Sequence, residues 1–161
     1  MSPVHELHAA DEAATRTLGA ALARALVPGS VIWLRGELGA GKTTLARAIV
    51  QALLPAARVK SPTYTLIESY ATPRFTIHHL DLYRIADPEE LALIGVRDLA
   101  VDGAVLLLEW PERGGGRVPG ADLDVELRHA GAARQIRMAA GSASGEALLE
   151  RMDRPSQGAG A

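Results

Sequence analysis

Residues 36–43 combine the residue types and the spacing of a phosphate-binding loop. Their sequence, GELGAGKT, matches the pattern G-x-x-x-x-G-K-[ST]. Glycines in such a loop let backbone N–H groups close around a phosphate, because no side chains stand in the way. Lys42 would bring a compact positive charge to the β- and γ-phosphates, and Thr43 would offer its hydroxyl to Mg²⁺. Of the 17 basic residues only Lys42 and Lys60 are lysines, which indicates that the chemistry at position 42 requires an ammonium group rather than a guanidinium.

Two carboxylates stand where apolar runs end. Asp81 follows the run at 75–80, and Glu109 follows the apolar residues 105–108. Ligands of open α/β sheets gather at the carboxyl ends of the strands. One of these acids would organise the metal or its waters and the other would polarise an attacking water, and the sequence leaves the assignment open.

A hydroxyl-rich segment, residues 60–65, lies between the loop and the first acid. It contains Ser61, Thr63 and Thr65. Two interpretations stand side by side: an ordinary surface loop, and a mobile switch segment that senses the γ-phosphate.

The surrounding pattern supplies the elements that must position these groups. A short strand at 31–35 precedes the loop and an apolar helical stripe at 44–54 follows it. Only three residues, 72–74, separate the predicted strands 66–71 and 75–80, with Thr72-Pro73 as the connection, so these form an antiparallel hairpin and the sheet is mixed. The predicted fold class is α/β: a single P-loop NTPase-type domain with a mixed β-sheet and helices on both faces. We expect this domain to span residues 1–152, with a disordered tail at 153–161.

The remaining elements are predicted in the same way. Further strands are expected at 4–8, 105–108, 123–129 and 134–139, and further helices at 11–26, 87–95 and 145–152. His78 and His79 are adjacent, so they point to opposite faces of their strand and are expected to have structural roles.

Composition excludes several functional classes. The 161 residues carry a net charge of −2 without a basic patch, so any contact with RNA is expected to be indirect. Cysteine is absent and no run of 18 apolar residues occurs, which predicts a cytoplasmic chain with no membrane partner. The absence of asparagine removes both the base-reading motif of Ras-like GTPases and the catalytic-loop Asn of protein kinases.

Five segments together resemble one family. They are GELGAGKTT at 36–44, KSPTYTL at 60–66, DLYR at 81–84, DPEEL at 87–91 and LEWP at 108–111. Their order and spacing are similar to those of the bacterial TsaE (YjeE) family, the ATPases of tRNA threonylcarbamoyladenosine biosynthesis. The likeness runs from about residue 11 to residue 152.

The resemblance implies a small ATPase that uses ATP and Mg²⁺ and acts with two partners, a TsaD-type transferase and a TsaB-type paralogue. In such families these proteins install N6-threonylcarbamoyl on the adenosine beside the anticodon of tRNAs that read codons beginning with A. ATP hydrolysis is thought to reset the complex and to be slow without partners. The chain's glutamines, Gln51, Gln135 and Gln157, lie away from the two acid-bearing strands and from the hydroxyl-rich segment in sequence. The lack of a Ras-type water-orienting Gln also predicts slow intrinsic hydrolysis.

The resemblance also assigns roles to residues. Lys42, Asp81 and Glu109 are the expected catalytic residues, with Thr43 and Glu109 holding the metal and Asp81 beside it. Ser61, Thr63 and Thr65 form the expected switch loop. The residues expected to bind nucleotide are Asp11, Gly36, Leu38, Gly39, Ala40, Gly41, Lys42, Thr43, Thr44, Asp81, Trp110 and Arg134.

Two other functions remain as alternatives. A small-molecule kinase would add a basic lid, and only Arg113 and Arg117, in a glycine-rich loop, are available for one after Glu109. A nucleotide-gated binding module without useful catalysis would keep its function when Glu109 is substituted.

Overall fold

A computed structural model describes residues 3–154 and contains one seven-stranded sheet and five α-helices in that range. The strands are β1 (Val4–Ala9), β2 (Val31–Arg35), β3 (Ile67–Ala71), β4 (Thr76–Asp81), β5 (Val105–Glu109), β6 (Leu123–Ala130) and β7 (Ala133–Ala140). The helices are α1 (Glu12–Ala25), α2 (Lys42–Leu53), α3 (Glu89–Ile94), α4 (Val96–Val101) and α5 (Ala143–Asp153).

The strand order is β1-β7-β6-β2-β5-β4-β3. The four central strands, β6, β2, β5 and β4, run parallel, whereas β3, β7 and β1 are antiparallel to their neighbours. The predicted mixed sheet is therefore confirmed. Parallel pairing brings the carboxyl ends of β2, β4 and β5 to one edge, and the phosphate loop begins where β2 ends.

Helices cover both faces of the sheet, as expected. On one face, apolar side chains of α1, α2 and α5 pack with alternate residues of the strands, among them Ile32 and Leu107. On the other face, the helices α3 and α4 contribute Leu91 and Val96 to a cluster that includes Val31, Leu106 and Leu108. Strand β5 is buried along its whole length because both of its faces are covered.

Most predicted elements form within one to three residues of the expected positions. Asp11 caps α1 by accepting a hydrogen bond from the N–H of Ala14 (2.9 Å), and Gly95 ends α3 in a left-handed conformation. The last helix runs from Ala143 to Asp153, so the first residue of the predicted tail belongs to a helix. Arg154, the second residue of that tail, follows the helix and is exposed, and residues 155–161 lie outside the described part of the chain.

The helix α1, with 14 residues, is the longest in the described range. In residues 3–154 no helix has the length and apolar character needed to cross a bilayer.

Candidate functional site

The phosphate loop joins β2 to α2, as the pattern predicts. Gly41 stands immediately before α2 in a left-handed conformation (φ 108°), so the helix begins without a side-chain cap and its first N–H groups point into the loop. Gly36 also has positive φ (150°), and a Cβ there would lie 2.5 Å from the carbonyl oxygen of Leu127. The loop therefore fits against β6 only because position 36 carries no side chain.

Lys42 is buried at the floor of the loop. Its Nζ donates hydrogen bonds to the carbonyl oxygens of Gly36 (2.5 Å) and Glu37 (2.9 Å) and lies 4.4 Å from the centroid of the Trp110 ring. Burial lowers the pKa of Lys42 below that of an exposed lysine, and the negative charges of Glu109 and Asp81 oppose the shift. The ammonium is thus aimed into the loop, where the pattern predicts phosphates.

The two predicted acids stand side by side. Asp81 and Glu109 are register partners at the ends of the parallel strands β4 and β5, and both carboxylates are buried (6% and 2% exposed). The hydroxyl of Thr43 donates to both oxygens of Glu109, at 3.0 and 3.1 Å. Glu109 is therefore the carboxylate tied to the hydroxyl of the phosphate loop.

Asp81 is tied instead to the hydroxyl-rich segment. Its Oδ2 accepts a hydrogen bond from Thr63 Oγ1 (3.1 Å), which also bonds Ser61 Oγ (2.8 Å), and its Oδ1 accepts from the N–H of Tyr83 (3.0 Å). Thr65 bonds Glu68, and it does not line the cavity described next. Two of the three residues of the predicted switch loop thus reach the acid, directly or through one another.

A cavity of about 380 Å³ lies between these elements. Its lining comprises Leu38, Gly39, Gly41, Lys42, Thr43, Thr44, Thr63, Asp81, Tyr83, Arg84, Glu109 and Trp110. Trp110 has the left-handed conformation (φ 57°) that turns its ring back toward Lys42, and its ring centroid is 5.1 Å from that of Tyr83. The catalytic residues predicted from the sequence all face this one space.

A second cavity, of about 200 Å³, shares Gly39, Gly41 and Thr44 with the first and extends to Asp11 and Arg134. Arg134 donates to the loop carbonyls of Ala40 (3.0 Å) and Gly39 (3.2 Å). Asp11 and Arg134 therefore line a cavity next to the loop that neither Asp81 nor Glu109 lines.

The residues present fit a magnesium ion held partly by a nucleotide. Mg²⁺ bound with phosphates typically takes one or two protein oxygens and keeps several waters. Thr43 and Glu109 offer such oxygens in mutual contact, with Asp81 on the adjacent strand. Within residues 3–154, no group of three or more acidic or histidine side chains is placed to hold a metal ion by itself.

Sequence reasoning missed three residues of the site. His79, expected to have a structural role, bonds Glu109 through its Nε2 (2.6 Å), and Tyr83 and Arg84 line the 380 Å³ cavity beside the phosphate loop. Alternation along β4 places His79 on the same face as Asp81, which was a usable signal. The arginines considered for a kinase lid are engaged in other contacts: Arg113 stacks on Tyr83 and Trp110, and Arg117 pairs with Glu89.

Comparison with known proteins identifies the family. Residues 9–136 match the sequence model of a protein family described as Threonylcarbamoyl adenosine biosynthesis protein TsaE. The chain belongs to the TsaE family. A nucleotide-binding role fits this fold and this loop.

Relatives agree with that assignment. The TsaE protein of Haemophilus influenzae is 44% identical over 119 residues, which are 74% of this chain and 75% of that protein. The TsaE protein of Rickettsia felis is 40% identical over 63% of this chain and 60% of its own length. Both carry the name tRNA threonylcarbamoyladenosine biosynthesis protein. The crystal structure of Bacillus subtilis YdiB superposes with a TM-score of 0.81 at 25% identity, covering 94% of this chain and 95% of that one.

Proposed function

We propose that this TsaE family member is a partner-activated, Mg²⁺-dependent ATPase of tRNA threonylcarbamoyladenosine biosynthesis, acting in the cytoplasm. Its partners would be a TsaD-type transferase and a TsaB-type paralogue, and it would meet tRNAs reading codons that begin with A only through them. ATP hydrolysis would reset the complex between turnovers. The observation that carries the proposal is the convergence of Lys42, Thr43, Asp81 and Glu109 on one cavity at the phosphate loop.

A protein catalyses phosphoryl transfer mainly by positioning the reacting groups and by neutralising the charge on the phosphate oxygens. Lys42 would exchange its bonds to the loop carbonyls for the phosphate oxygens, supported by the N–H groups at the start of α2. Mg²⁺, when bound, would neutralise charge on the phosphate oxygens. Thr43 and Glu109 would hold it, because the threonine hydroxyl already meets that carboxylate.

Asp81 would then polarise the attacking water. It lies next to Glu109 but bonds Thr63 of the switch loop, so its orientation depends on the position of that loop. Among the described residues that line the cavity, none is a glutamine. Because a loop completes the site, the isolated chain would hydrolyse ATP slowly. Hydrolysis would become faster when a partner protein fixes the loop in place.

Multiple-turnover modification tests the proposal. The chain would be incubated with ATP, Mg²⁺, the transferase, its paralogue, threonylcarbamoyl adenylate and unmodified tRNA, and modified tRNA per transferase complex would be counted. Repeated turnover is expected only when the chain is present. Equal repeated turnover without the chain would refute the resetting role.

A variant pair separates hydrolysis from nucleotide-gated binding. Glu109→Gln removes the metal-facing charge, whereas Glu150→Gln makes the same change at an exposed site on α5. We expect the first to abolish ATP hydrolysis and turnover together and the second to change neither. If Glu109→Gln stopped hydrolysis but left turnover intact, the chain would be a binding module instead.

A further inference from the structure

His79 is a fully buried histidine at the candidate site whose chemistry the phosphate-loop pattern does not account for. It lies in β4 two residues before Asp81, with no exposed surface, and its Nε2 is 2.6 Å from Oε2 of Glu109. Its neighbour His78 faces the opposite side of the strand and bonds Ser69. The contact with Glu109 is therefore specific to position 79.

The hydrogen-bond partners place the imidazole proton. An ionised carboxylate can only accept, so Nε2 must be the donor to Glu109. The other ring nitrogen, Nδ1, is buried and has no hydrogen-bond partner among the described residues. Protonation at Nε2 leaves no buried N–H donor unpaired, whereas the other tautomer would leave one at Nδ1.

Glu109 needs such a partner more than an aspartate would. A glutamate has an additional rotatable bond, so holding its carboxylate in one place costs more conformational entropy. Here the carboxylate is held from two elements, by Thr43 of α2 and by His79 of β4. The sheet thus fixes one carboxylate oxygen independently of the phosphate loop.

We propose that His79 is a positioning residue, which donates its Nε2–H to Glu109 and holds that carboxylate toward Thr43 and the metal of the nucleotide site. This inference rests on the proposed function. Outer groups that orient a metal-binding carboxylate typically change metal affinity or activity by about 10–100-fold when removed.

Two substitutions separate positioning from packing. His79→Leu fills a similar space without a donor, whereas His79→Gln can present an amide N–H near the position of Nε2. His78→Leu makes the same change on the other face of the strand and is the control. Titration calorimetry would measure ATP affinity of each full-length variant in excess EDTA and in Mg²⁺, with thermal unfolding recorded alongside.

For His79→Leu we expect the ATP affinity measured in EDTA to stay within about twofold of the wild type. The increase in ATP affinity that Mg²⁺ produces should be smaller than in the wild type by about 10-fold or more. His79→Gln should recover most of that gain, and His78→Leu should keep all of it. An unchanged Mg²⁺ effect in His79→Leu would overturn the inference, as would equal losses in the Leu and Gln variants. Wild-type protein that binds no ATP at all would overturn the proposed function and this inference with it.

The nucleotide-free protein offers an independent readout. Long-range ¹H–¹⁵N correlation spectra of the wild type should show His79 protonated at Nε2 and unprotonated at Nδ1. A protonated Nδ1 would contradict the assignment whether or not the chain binds ATP.

Discussion

The hydroxyl of Thr43 provides a direct test of the site's geometry through Thr43→Val. Valine is nearly the same size and shape as threonine and has a similar helix propensity, so the change removes the hydroxyl and little else. In the free protein that hydroxyl donates to both oxygens of Glu109, a carboxylate only 2% exposed. The variant would leave His79 as its remaining side-chain donor among the described residues.

The expected cost follows from these contacts. A hydrogen bond to a buried charged group contributes about 1.5–3 kcal/mol. For a domain of this size each kcal/mol corresponds to roughly 2–4 °C in the melting temperature, so Tm should fall by about 3–12 °C. The gain in ATP affinity that Mg²⁺ provides should also shrink, because the metal loses a ligand.

Differential scanning calorimetry and nucleotide titration would measure the two effects. Thr43→Ser keeps the hydroxyl and should recover both. Thr17→Val makes the same change on α1, where the hydroxyl bonds only the carbonyl of Ala13 at an exposed site, and should shift Tm by no more than about 2 °C. If the Thr43→Val variant has the same Tm as the wild type, the hydrogen bond from Thr43 to Glu109 is not formed in solution.

Three further changes test other parts of the structure. Gly36→Ala should lower ATP affinity by about 10-fold or more, because its Cβ would meet the carbonyl of Leu127 at 2.5 Å and displace the loop; unchanged affinity in titration calorimetry would contradict this packing. ATP affinity measured from pH 7 to 10 should fall as Lys42 loses its proton, at lower pH than for an exposed lysine since burial lowers its pKa; a flat profile would mean that its charge does not bind phosphate. Gly145→Ala should destabilise the fold by about 1–3 kcal/mol or more in chemical denaturation, because its Cβ would lie 1.7 Å from the carbonyl oxygen of Asp122; wild-type stability would refute that close approach.

The chemistry of the loop and the strand ends could be predicted because it is local. The motif at 36–43 fixes a turn and a helix start within eight residues, and the buried run before Glu109 identifies a central strand without knowledge of its neighbours. The hairpin of β3 and β4 follows equally from a connection of a few residues.

The hydrogen bond from His79 to Glu109 is harder to predict. The two residues are 30 positions apart in sequence and meet only because their strands, β4 and β5, pair side by side. Register across a parallel pair is set by packing on both faces of the sheet and not by a turn. Trp110, the residue after β5, is likewise hard to place from sequence. Its own backbone is left-handed, a conformation that a tryptophan rarely adopts.

Calorimetric titration of the full chain with a non-hydrolysable ATP analogue and Mg²⁺ tests the central claim most directly. We predict binding of one nucleotide per chain, strengthened by Mg²⁺ and abolished by Lys42→Ala. Folded wild-type protein that takes up no nucleotide, or a Lys42→Ala variant that binds as well as the wild type, would contradict the account.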